Sequence, residues 1–377
     1  MQPAKQRRIA IDYTAAASHW PGVGRYGREL VRALVQLREA PPLLLFELGR
    51  PGTLPSGALG ITEALADGRV ERRLLDGVAT RGRVLRARAA LLRRGLEAEL
   101  GDVALVHRAL PGHPRVLRRT QVQPLFELPG DDPGAEDVRA LAGEVAHADH
   151  VVVGSAAGRE AVVRTLHLDP ANVTAVRTGA DHWLRDADPF DALPTDRPPT
   201  LVALGALGPA RRPLELLAAF ERLHARRPEV HLWFDGRSGA AAPALQAALE
   251  RSPARAAVTW NPAPVEADLP DRVAGAAVLV HLSQGELSPV TPLEALHFGT
   301  AVVASDLPAF REALPASALV ARATEDDPDA LAAALEAALE SAADPAARAA
   351  RRAAAAPFTW AACARDHLVM WARVLGE

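Results

Sequence analysis

The sequence has a single cysteine, Cys363, among its 377 residues. One cysteine excludes an internal disulfide and a cysteine-rich zinc site, and it suits a reducing compartment. Long apolar stretches are also missing, because no run approaches the roughly 18 residues that span a bilayer. The first twenty residues lack the apolar core of a secretory signal. We therefore expect a cytoplasmic protein that is at most held at a membrane surface.

An excess of charge of one sign is absent from the chain as a whole, whose formal net charge is −3. A chain-wide nucleic-acid surface is therefore not expected. The region from Arg69 to Arg119 differs, with thirteen arginines against five acidic residues. Within it, the segment RGRVLRARAALLRRGL places apolar residues on one helical stripe and most of its arginines off that stripe. This pattern predicts either a solvated surface helix or one attracted to anionic lipid or to an anionic acceptor.

The rest of the chain alternates short β-type runs with helical patterns, which is typical of parallel α/β layers. A chain of 377 residues is too long for one ordinary core, so two domains are expected. The proline- and aspartate-rich stretch LRDADPFDALPTDRPP, residues 184–199, predicts the linker between them. The predicted domains are residues 1–183 and 200–355, followed by a helical pattern at 356–377.

A glycine pattern formed by Gly22, Gly24 and Gly27 matches the G-x-G-x-x-G of dinucleotide-binding folds. In that fold the glycines turn directly from a strand into a helix, so that pyrophosphate lies at the helix N-terminus. Here the eight residues TAAASHWP separate the first predicted strand from Gly22. A nicotinamide site is therefore disfavoured, although a glycine-rich loop before a helix still allows close approach of a ligand.

Two carboxylates, Glu286 and Glu294, lie in the stretch GELSPVTPLEALHFG, after a predicted buried strand. Thr291, Pro292 and Glu294 predict a helix N-terminus with a capping box. Gly299 stands where a C-terminal capping glycine is expected. Capping accounts for Glu294 but not for Glu286. Both carboxylates follow the end of a strand, where open parallel sheets bind ligands.

The segment GELSPVTPLEALHFGTAVVASDLPAFREAL resembles the Glu-x7-Glu segment of glycosyltransferase family 4, whose members are retaining enzymes. IDYTAAASHWPGVGRYGRELVRAL is similar to the first strand, glycine loop and first helix of that family. LVALGALGPARRPLELLAAFERL is similar to the start of its second domain, and FTWAACARDHLVMWARVL to the closing helix that returns to the first. The resemblance implies the GT-B fold, two Rossmann-like α/β/α domains that face each other across a cleft. The first domain would bind the acceptor and the second the nucleotide sugar.

The resemblance also implies roles for the residues that match the family's motifs. Glu286 would hold a hydroxyl of the donor sugar and stabilise positive charge at the anomeric carbon. Glu294 would accept hydrogen bonds from the ribose hydroxyls. Arg211 stands where the family carries a lysine that neutralises the leaving phosphate. The other expected donor contacts are made by backbone, either N–H groups near the helix N-terminus or closely approaching glycines: Leu287, Ser288, Thr291, Gly22 and Gly24.

The chain departs from the family pattern at three places. The family's Gly-Phe-Gly-Leu-Pro after the first glutamate is replaced by LSPVT at residues 287–291, in which Pro289 removes one N–H. Ala206 stands where a second basic residue is often found. Phe126 and Glu127 stand where the family has a His-Asp pair, which makes Glu127 the second catalytic candidate.

His107 closes a predicted strand that is expected to face the cleft, so it is a further candidate for ligand contact. The acidic triplets at residues 130–132 and 325–327 lack the Asp-x-Asp spacing of metal-dependent transferases. No metal is therefore expected, and no cofactor besides the nucleotide-sugar substrate.

The function that the resemblance implies is retaining transfer of a hexose from a nucleotide-diphosphate sugar to a hydroxyl acceptor. The acceptor would be a glycan or glycolipid, and the process polysaccharide or glycolipid biosynthesis. A non-catalytic binding or regulatory protein with a weakened donor site is the main alternative, because the phosphate loop has fewer N–H donors. Nucleotide-sugar epimerases and sugar phosphorylases of related architecture are further alternatives.

Overall fold

The computed structural model describes residues 8–48, 52, 54, 60–75, 97–109, 119–129, 135–185 and 197–377. The chain forms two compact units, each built on a parallel sheet with alternating helices. The N-terminal unit comprises Met1–Leu128, Pro133–Arg177 and Trp360–Glu377, and the C-terminal unit comprises Pro129–Asp132 and Thr178–Thr359. The prediction of two Rossmann-like α/β domains is confirmed.

The N-terminal unit contains a seven-stranded sheet in the order β3-β2-β1-β4-β5-β6-β7. Its strands are β1 (Ile9–Asp12), β2 (Leu43–Leu48), β3 (Val70–Leu75), β4 (Leu105–His107), β5 (Thr120–Pro124), β6 (His150–Val153) and β7 (Val173–Ala175). Its described helices are α1 (Thr14–Ala17), α2 (Val23–Gln36), α3 (Ile61–Ala66), α4 (Glu97–Leu100), α5 (Ala135–Val145), α6 (Ala156–Leu166) and the C-terminal helix (Trp360–Leu375). The strand order reverses between β1 and β4.

Strands β1, β2 and β4 are apolar runs with both faces buried, as expected for the centre of a parallel sheet. Helix α2 packs Leu30 and Leu34 into the core cluster of this sheet. The C-terminal helix contributes Trp360, Met370 and Trp371 to the same cluster. The C-terminal helix and the first strand, β1, therefore belong to the same hydrophobic core.

The C-terminal unit contains a six-stranded sheet in the order β10-β9-β8-β11-β12-β13. Its strands are β8 (Thr200–Leu204), β9 (His231–Asp235), β10 (Val258–Asn261), β11 (Val278–His281), β12 (Ala301–Ser305) and β13 (Leu319–Val320). Its helices are α7 (Pro213–Arg226), α8 (Ala242–Arg251), α9 (Leu269–Ala274), α10 (Val290–His297), α11 (Pro308–Arg311), α12 (Arg322–Asp326), α13 (Pro328–Ala342) and α14 (Pro345–Ala355).

Counted within the unit, this strand order is 3-2-1-4-5-6, the order of dinucleotide-binding sheets. The order reverses between β8 and β11, which pair in parallel. Open sheets of this kind bind ligands beyond the carboxyl ends of the strands at such a reversal. We therefore expect a ligand-binding site in the segments that follow β8 and β11.

The helix after β11 begins earlier than the sequence predicts. Helix α10 has Pro289 as its N-cap, without a side-chain hydrogen bond, so the predicted capping box with Thr291 as N-cap is wrong. Pro292 is tolerated inside the first turn, because an N–H at that position would have no partner within the helix. Glu294 consequently lies beyond the first turn and does not cap it.

The end of α10 agrees with the prediction. Gly299 has a φ of +77°, the left-handed conformation of a capping glycine. Its N–H donates to the Leu296 carbonyl at 2.9 Å, and the Thr300 N–H donates to the Ala295 carbonyl at 3.1 Å. These two bonds form a Schellman motif, which ends the helix just before β12.

Two predicted segments fall wholly or mostly outside the described residues. They are the arginine-rich helix at 81–96 and the centre of the predicted linker, residues 186–196. Within the described part of the chain, no helix combines the length and the apolarity needed to cross a bilayer.

Candidate functional site

The carboxyl ends of β8 and β11 bring three ionisable side chains together. A short 3-10 turn, Pro209–Arg211, follows β8 and carries Arg211. His281 is the last residue of β11, and Glu286 follows it by five positions. Because β8 and β11 are parallel neighbours, the segments after them start at the same edge of the sheet.

The three side chains contact one another in a closed triangle. Arg211 donates through Nη1 to Oε1 of Glu286, and Oε2 of Glu286 lies 2.9 Å from Nε2 of His281. The same Nη1 of Arg211 lies 2.9 Å from Nε2 of His281. The side chains of Glu286 and His281 are 12% and 3% exposed, and that of Arg211 is 28% exposed. Arg211 is therefore the member that solvent reaches most easily.

Two effects oppose each other at the Glu286 carboxyl. Burial raises the pKa of Glu286, but the charges and hydrogen bonds of His281 and Arg211 outweigh it and hold the pKa at about 2. The carboxylate is therefore ionised at neutral pH. A fixed negative charge in a largely buried setting is suited to stabilising positive charge that develops on a bound molecule.

The protonation of His281 follows from its neighbours. An ionised carboxylate only accepts hydrogen bonds, so the ring presents an N–H to Glu286 at Nε2. The 2.9 Å approach of Arg211 Nη1 to the same nitrogen is then a contact between two donors and not a hydrogen bond. Within the described residues, the buried Nδ1 of His281 has no hydrogen-bond partner. The ring itself is held in place by Phe310, whose centroid is 6.0 Å away.

A cavity of about 20 Å³ lies beside the triangle. Its lining includes Leu204, Phe234 and Val280 as well as Arg211 and His281. This volume holds about one water molecule. Apart from Arg211 and His281, the cavity is lined mainly by apolar side chains. Such surroundings strengthen the electrostatic interactions among the three members of the triangle.

The second predicted carboxylate, Glu294, is fully buried in α10 at 0% exposure. Its Oε1 lies 3.2 Å from Nε2 of His182, which belongs to the 3-10 turn His182–Arg185. Buried glutamates are rare unless another group pairs with them. Glu294 does not cap its helix. In the structure it contacts His182, so a ligand that binds Glu294 would bind next to that histidine.

The first turn of α10 offers few backbone donors. A helix leaves four N–H positions open at its start, and here Pro289 and Pro292 occupy two of them. Val290 and Thr291 keep their N–H groups. Ser288 donates through its hydroxyl to Thr178 at 3.4 Å. The side chain of the remaining predicted residue of this segment, Leu287, is buried.

The sequence interpretation missed Arg212, which supports the turn that carries Arg211. Arg212 is 1% exposed and has a φ of +51°, an unusual conformation for a residue with a side chain. Its guanidinium contacts Glu325 at 3.1 Å and also pairs with Asp326. The adjacent arginines therefore differ, because Arg212 is anchored inside the unit while Arg211 reaches the site.

Other predicted residues belong to the N-terminal unit. Gly22 is the N-cap of α2, with a φ of +66°. A Cβ on Gly24 would lie 2.5 Å from the carbonyl oxygen of Ala15, so Gly24 is required for the packing of α1 against α2. Glu127 is exposed after β5, and Phe126 packs edge-on against Tyr26 at 5.0 Å between ring centroids.

His107, the last residue of β4, takes part in a buried hydrogen-bond network. Its Nε2 lies 3.1 Å from the Tyr26 hydroxyl, which lies 2.8 Å from Nε2 of His367. Nδ1 of His367 donates to the Cys363 carbonyl at 2.8 Å. His367 Nε2 is therefore the acceptor, so Tyr26 donates to His367 and His107 donates to Tyr26. We call these three side chains the Tyr26 network.

Burial determines the ionisation of the Tyr26 network. Burial, and to a smaller extent the charge of His367, lower the pKa of His107 well below its usual range. Burial also lowers the pKa of His367 to about 4, despite the opposing hydrogen bond to Cys363. The pKa of Tyr26 is raised well above its usual value, again chiefly by burial. All three groups are therefore neutral at pH 7.

No cluster of three or more potential metal ligands occurs within the described residues.

Among curated protein sequences, none matches this chain significantly. Residues 198–341 match the sequence model of a family described as Glycosyl transferases group 1. That segment contains Arg211, His281, Glu286 and Glu294, so the match supports a glycosyltransferase.

Solved structures that resemble the chain over nearly its whole length share the same two-domain architecture. The Anabaena protein HepE in complex with UDP and glucose has a TM-score of 0.72 at 15% identity, covering 97% of this chain and 99% of that one. Sucrose-phosphate synthase from Thermosynechococcus elongatus has a TM-score of 0.72 at 18% identity, covering 98% and 100%. A glycosyltransferase from Rickettsia africae has a TM-score of 0.68 at 12% identity, covering 99% of each chain. The chain therefore has the GT-B type of fold.

Proposed function

We propose that this protein is a retaining glycosyltransferase that moves a hexose from a nucleotide-diphosphate sugar to a hydroxyl acceptor. The observation that carries the proposal is the contact of Arg211, His281 and Glu286 at the strand reversal of the C-terminal sheet. One cation, one ionised carboxylate and a fixed imidazole at a ligand-binding edge fit a substrate with a diphosphate and a sugar. The family match over the same segment supports this reading.

Arg211 is assigned to the diphosphate of the donor. Its guanidinium is 28% exposed and carries N–H groups in a fork that suits phosphate oxygens. The N–H groups of Val290 and Thr291 at the start of α10 would add two further donors. Glu294, on the same helix, is assigned to the ribose hydroxyls. We also retain Gly22, Gly24, Leu287 and Ser288 as proposed donor contacts through their backbone.

Glu286 is assigned to the reacting sugar. In the transfer, the bond between the anomeric carbon and the phosphate oxygen breaks, and the nucleoside diphosphate leaves with the electron pair. The acceptor oxygen forms the new bond to the same carbon, and its proton passes to the phosphate oxygen that leaves, so that the products are the glycoside and the nucleoside diphosphate. Positive charge builds on the sugar ring between these events, so the ionised Glu286 stabilises the transition state more than the ground state.

The acceptor is assigned to the N-terminal unit, as a hydroxyl of a glycan or glycolipid in polysaccharide or glycolipid biosynthesis. Glu127 is the second catalytic candidate there, and His107 is retained as a candidate contact. The lipopolysaccharide outer core galactosyltransferase WaaB, with a TM-score of 0.63 at 13% identity, supports testing such acceptors. The reaction is proposed to need no metal.

The donor is tested first with nucleotides alone. Titration calorimetry with UDP, GDP, ADP and TDP should show binding of one nucleotide, and the UDP bound by HepE makes UDP the first choice. Arg211→Ala should weaken that binding roughly tenfold or more, since a charge-assisted contact to phosphate is lost. Arg226→Ala, on the surface of the same unit, is the matched control.

The catalytic part is tested by consumption of the matching sugar nucleotide in the presence of glycan and glycolipid acceptors. Product with an unchanged anomeric configuration, identified by NMR, would support the retaining assignment. Binding of a nucleotide without consumption of any donor would favour the non-catalytic alternative. That alternative is suggested by the two prolines in the first turn of α10, which reduce the donors for phosphate. Absence of nucleotide binding across the panel would contradict the proposed function.

A further inference from the structure

We infer that His281 is a positioning residue that holds Glu286 in place while Arg211 binds the diphosphate of the donor. The inference rests on the proposed function, because it concerns how the same site changes when the donor arrives. This role would explain why an otherwise apolar strand, Val-Leu-Val-His, ends in a histidine.

Arg211 and Glu286 form an ion pair in the structure. Nη1 of Arg211 donates to Oε1 of the carboxylate. A diphosphate carries more negative charge than one carboxylate and competes for the same guanidinium. Once Arg211 turns to phosphate, Glu286 loses part of the compensation for a charge that is 12% exposed. A buried charge without compensation is costly, and it would take up a proton or move.

His281 is placed to prevent that loss. Its Nε2 lies 2.9 Å from Oε2 of Glu286, the oxygen that Arg211 does not use at short range. The ring is 3% exposed and cannot leave without opening the unit. Its backbone is fixed by the pairing of β11 with β12, where His281 is opposite Ala304. The contact therefore persists when the more exposed arginine moves.

The geometry also distinguishes the two oxygens of the carboxylate. His281 occupies Oε2, and Arg211 occupies Oε1. When Arg211 moves to the diphosphate, Oε1 is released and Oε2 is not. Oε1 is therefore the oxygen that meets the sugar. His281 acts through Glu286 and does not itself touch the substrate.

Loop anchoring supports the same conclusion. The segment between His281 and Glu286 is short, and the Ser283 N–H donates to the Ser305 hydroxyl at 2.8 Å. Ser305 ends β12, the next strand of the sheet. The loop between His281 and Glu286 is thus bound to the sheet through Ser305. The hydrogen bond from His281 then fixes the carboxylate of Glu286 itself.

Two variants separate the hydrogen bond from the presence of a ring. His281→Leu removes the donor, and His281→Gln keeps a side-chain N–H that can reach Glu286. A hydrogen bond to a charged group has a net contribution of about 1.5–3 kcal/mol, so His281→Leu should lower kcat roughly 10–100-fold. The affinity for free UDP should stay within about twofold. His281→Gln should recover most of kcat.

The dependence of kcat on pH distinguishes a positioning role of His281 from a purely structural one, because a purely structural role would leave that dependence unchanged. Without His281 the carboxylate of Glu286 loses one of the groups that keep it ionised. The acid limb of kcat should therefore shift upward by about one pH unit or more in His281→Leu, and it should shift less in His281→Gln. His150→Leu, which replaces a buried histidine at the start of β6 in the other unit, is the matched control.

A measurement in the free protein separates this inference from the proposed function. With glutamate labelled by ¹³C at the carboxyl carbon, the Glu286 signal is identified by its absence in Glu286→Gln. We expect it to stay ionised at pH 4 in the wild type and to titrate at least about one unit higher in His281→Leu. An unshifted Glu286 signal together with wild-type kcat would overturn the inference. A shifted signal in a protein that consumes no sugar nucleotide would instead overturn the proposed function and leave the contact established.

Discussion

The two sheets differ in what they place at the strand reversal. In the N-terminal unit, His107 ends β4 and is held in the neutral Tyr26 network. In the C-terminal unit, His281 ends β11 and is held between a cation and an ionised carboxylate. Both histidines are the last residue of the strand that follows the reversal. Their surroundings, not their position in the fold, decide what they do.

Closure by apolar partners explains the difference. The C-terminal helix packs His367 and Trp371 against His107, with ring centroids 5.5 Å away in each case. Among the described residues, no aromatic ring packs over Arg211, whose side chain is 28% exposed. One strand end is therefore a polar contact inside a core, whereas the other keeps a charge within reach of a ligand. We expect mutations at the first to change stability and mutations at the second to change activity.

The largest effect is expected at the charged strand end. Glu286→Gln keeps the shape and a hydrogen bond but removes the charge, so turnover should fall about 10²–10³-fold, as for loss of one electrostatic stabiliser. Nucleotide affinity should stay nearly the same, because the charge matters most in the transition state. Donor consumption beside UDP titration measures both quantities. Full turnover in this variant would show that Glu286 is not the catalytic carboxylate.

The neutral strand end should respond to acid. His367 has a pKa of about 4 in the folded protein, against 6.5 as its usual value. Below pH 6.5 the unfolded chain binds a proton that the native protein does not. The stability that neutral His367 contributes is therefore complete above pH 6.5 and is lost as the pH falls toward 4, by about 3 kcal/mol in total.

Hydrogen exchange of the C-terminal helix, measured by mass spectrometry between pH 7 and 4, checks this dependence after correction for the intrinsic rate. His367→Gln keeps an oxygen that accepts from Tyr26 and removes one titrating group, so it should reduce the slope, with the remainder including the contribution of His107, whose pKa is also lowered by burial. His167→Asn, which removes an exposed histidine, is the control. A slope that is the same with and without His367 would contradict the assignment of the acid response to the Tyr26 network.

A matched pair of tyrosines sharpens the contrast further. Tyr26→Phe leaves His107 without an acceptor and His367 without a donor, so it should cost about 1–3 kcal/mol. Tyr13 is equally a core tyrosine at 0% exposure, but within the described residues its hydroxyl has no hydrogen-bond partner. Tyr13→Phe should therefore change the free energy of unfolding little. Urea unfolding of the two variants compares them, and equal losses would mean that the network is not the cause.

The smallest expected effect concerns Glu294. Glu294→Gln should lower nucleotide affinity roughly tenfold, because hydrogen bonds to a charged group weaken. The helix itself should lose little, because Glu294 does not cap α10. Calorimetric titration with UDP checks affinity, and the thermal midpoint checks folding. A variant that binds UDP normally would limit Glu294 to its buried contact with His182.

The sequence predicted most of the fold because the central strands are apolar runs whose ends carry polar residues. It missed β3, which reads VERRLL, because an edge strand with arginines has no apolar pattern. In the structure Arg72 of β3 pairs with Glu47 of β2. The alanine-rich segment DALAAALEAALESAADPAARAARRAAAA, residues 329–356, has a helical pattern throughout. In the structure it is divided at Pro345, where the Asp344 side chain accepts from the Ala346 N–H at 3.0 Å and α14 starts.

The candidate site was only partly predictable. Glu286 and Glu294 were predicted because their spacing resembles a known segment, and Arg211 was predicted because it stands where the resembled family carries a lysine. His281 and His182 gave no sequence signal beyond a histidine at the end of a run or after an aspartate. Their roles depend on contacts between positions five and 112 residues apart. Local patterns do not encode such distances.

The C-terminal helix has a consequence for how the protein is made. Its residues Trp360, Met370 and Trp371 belong to the core cluster of the N-terminal unit. During synthesis, domains usually fold in the order in which they leave the ribosome. Here the unit that emerges first must wait for residues near 371, which emerge after every strand of the other unit. A nascent chain stalled before Trp360 would expose an unfinished apolar core, and chaperones would have to protect it until these residues emerge.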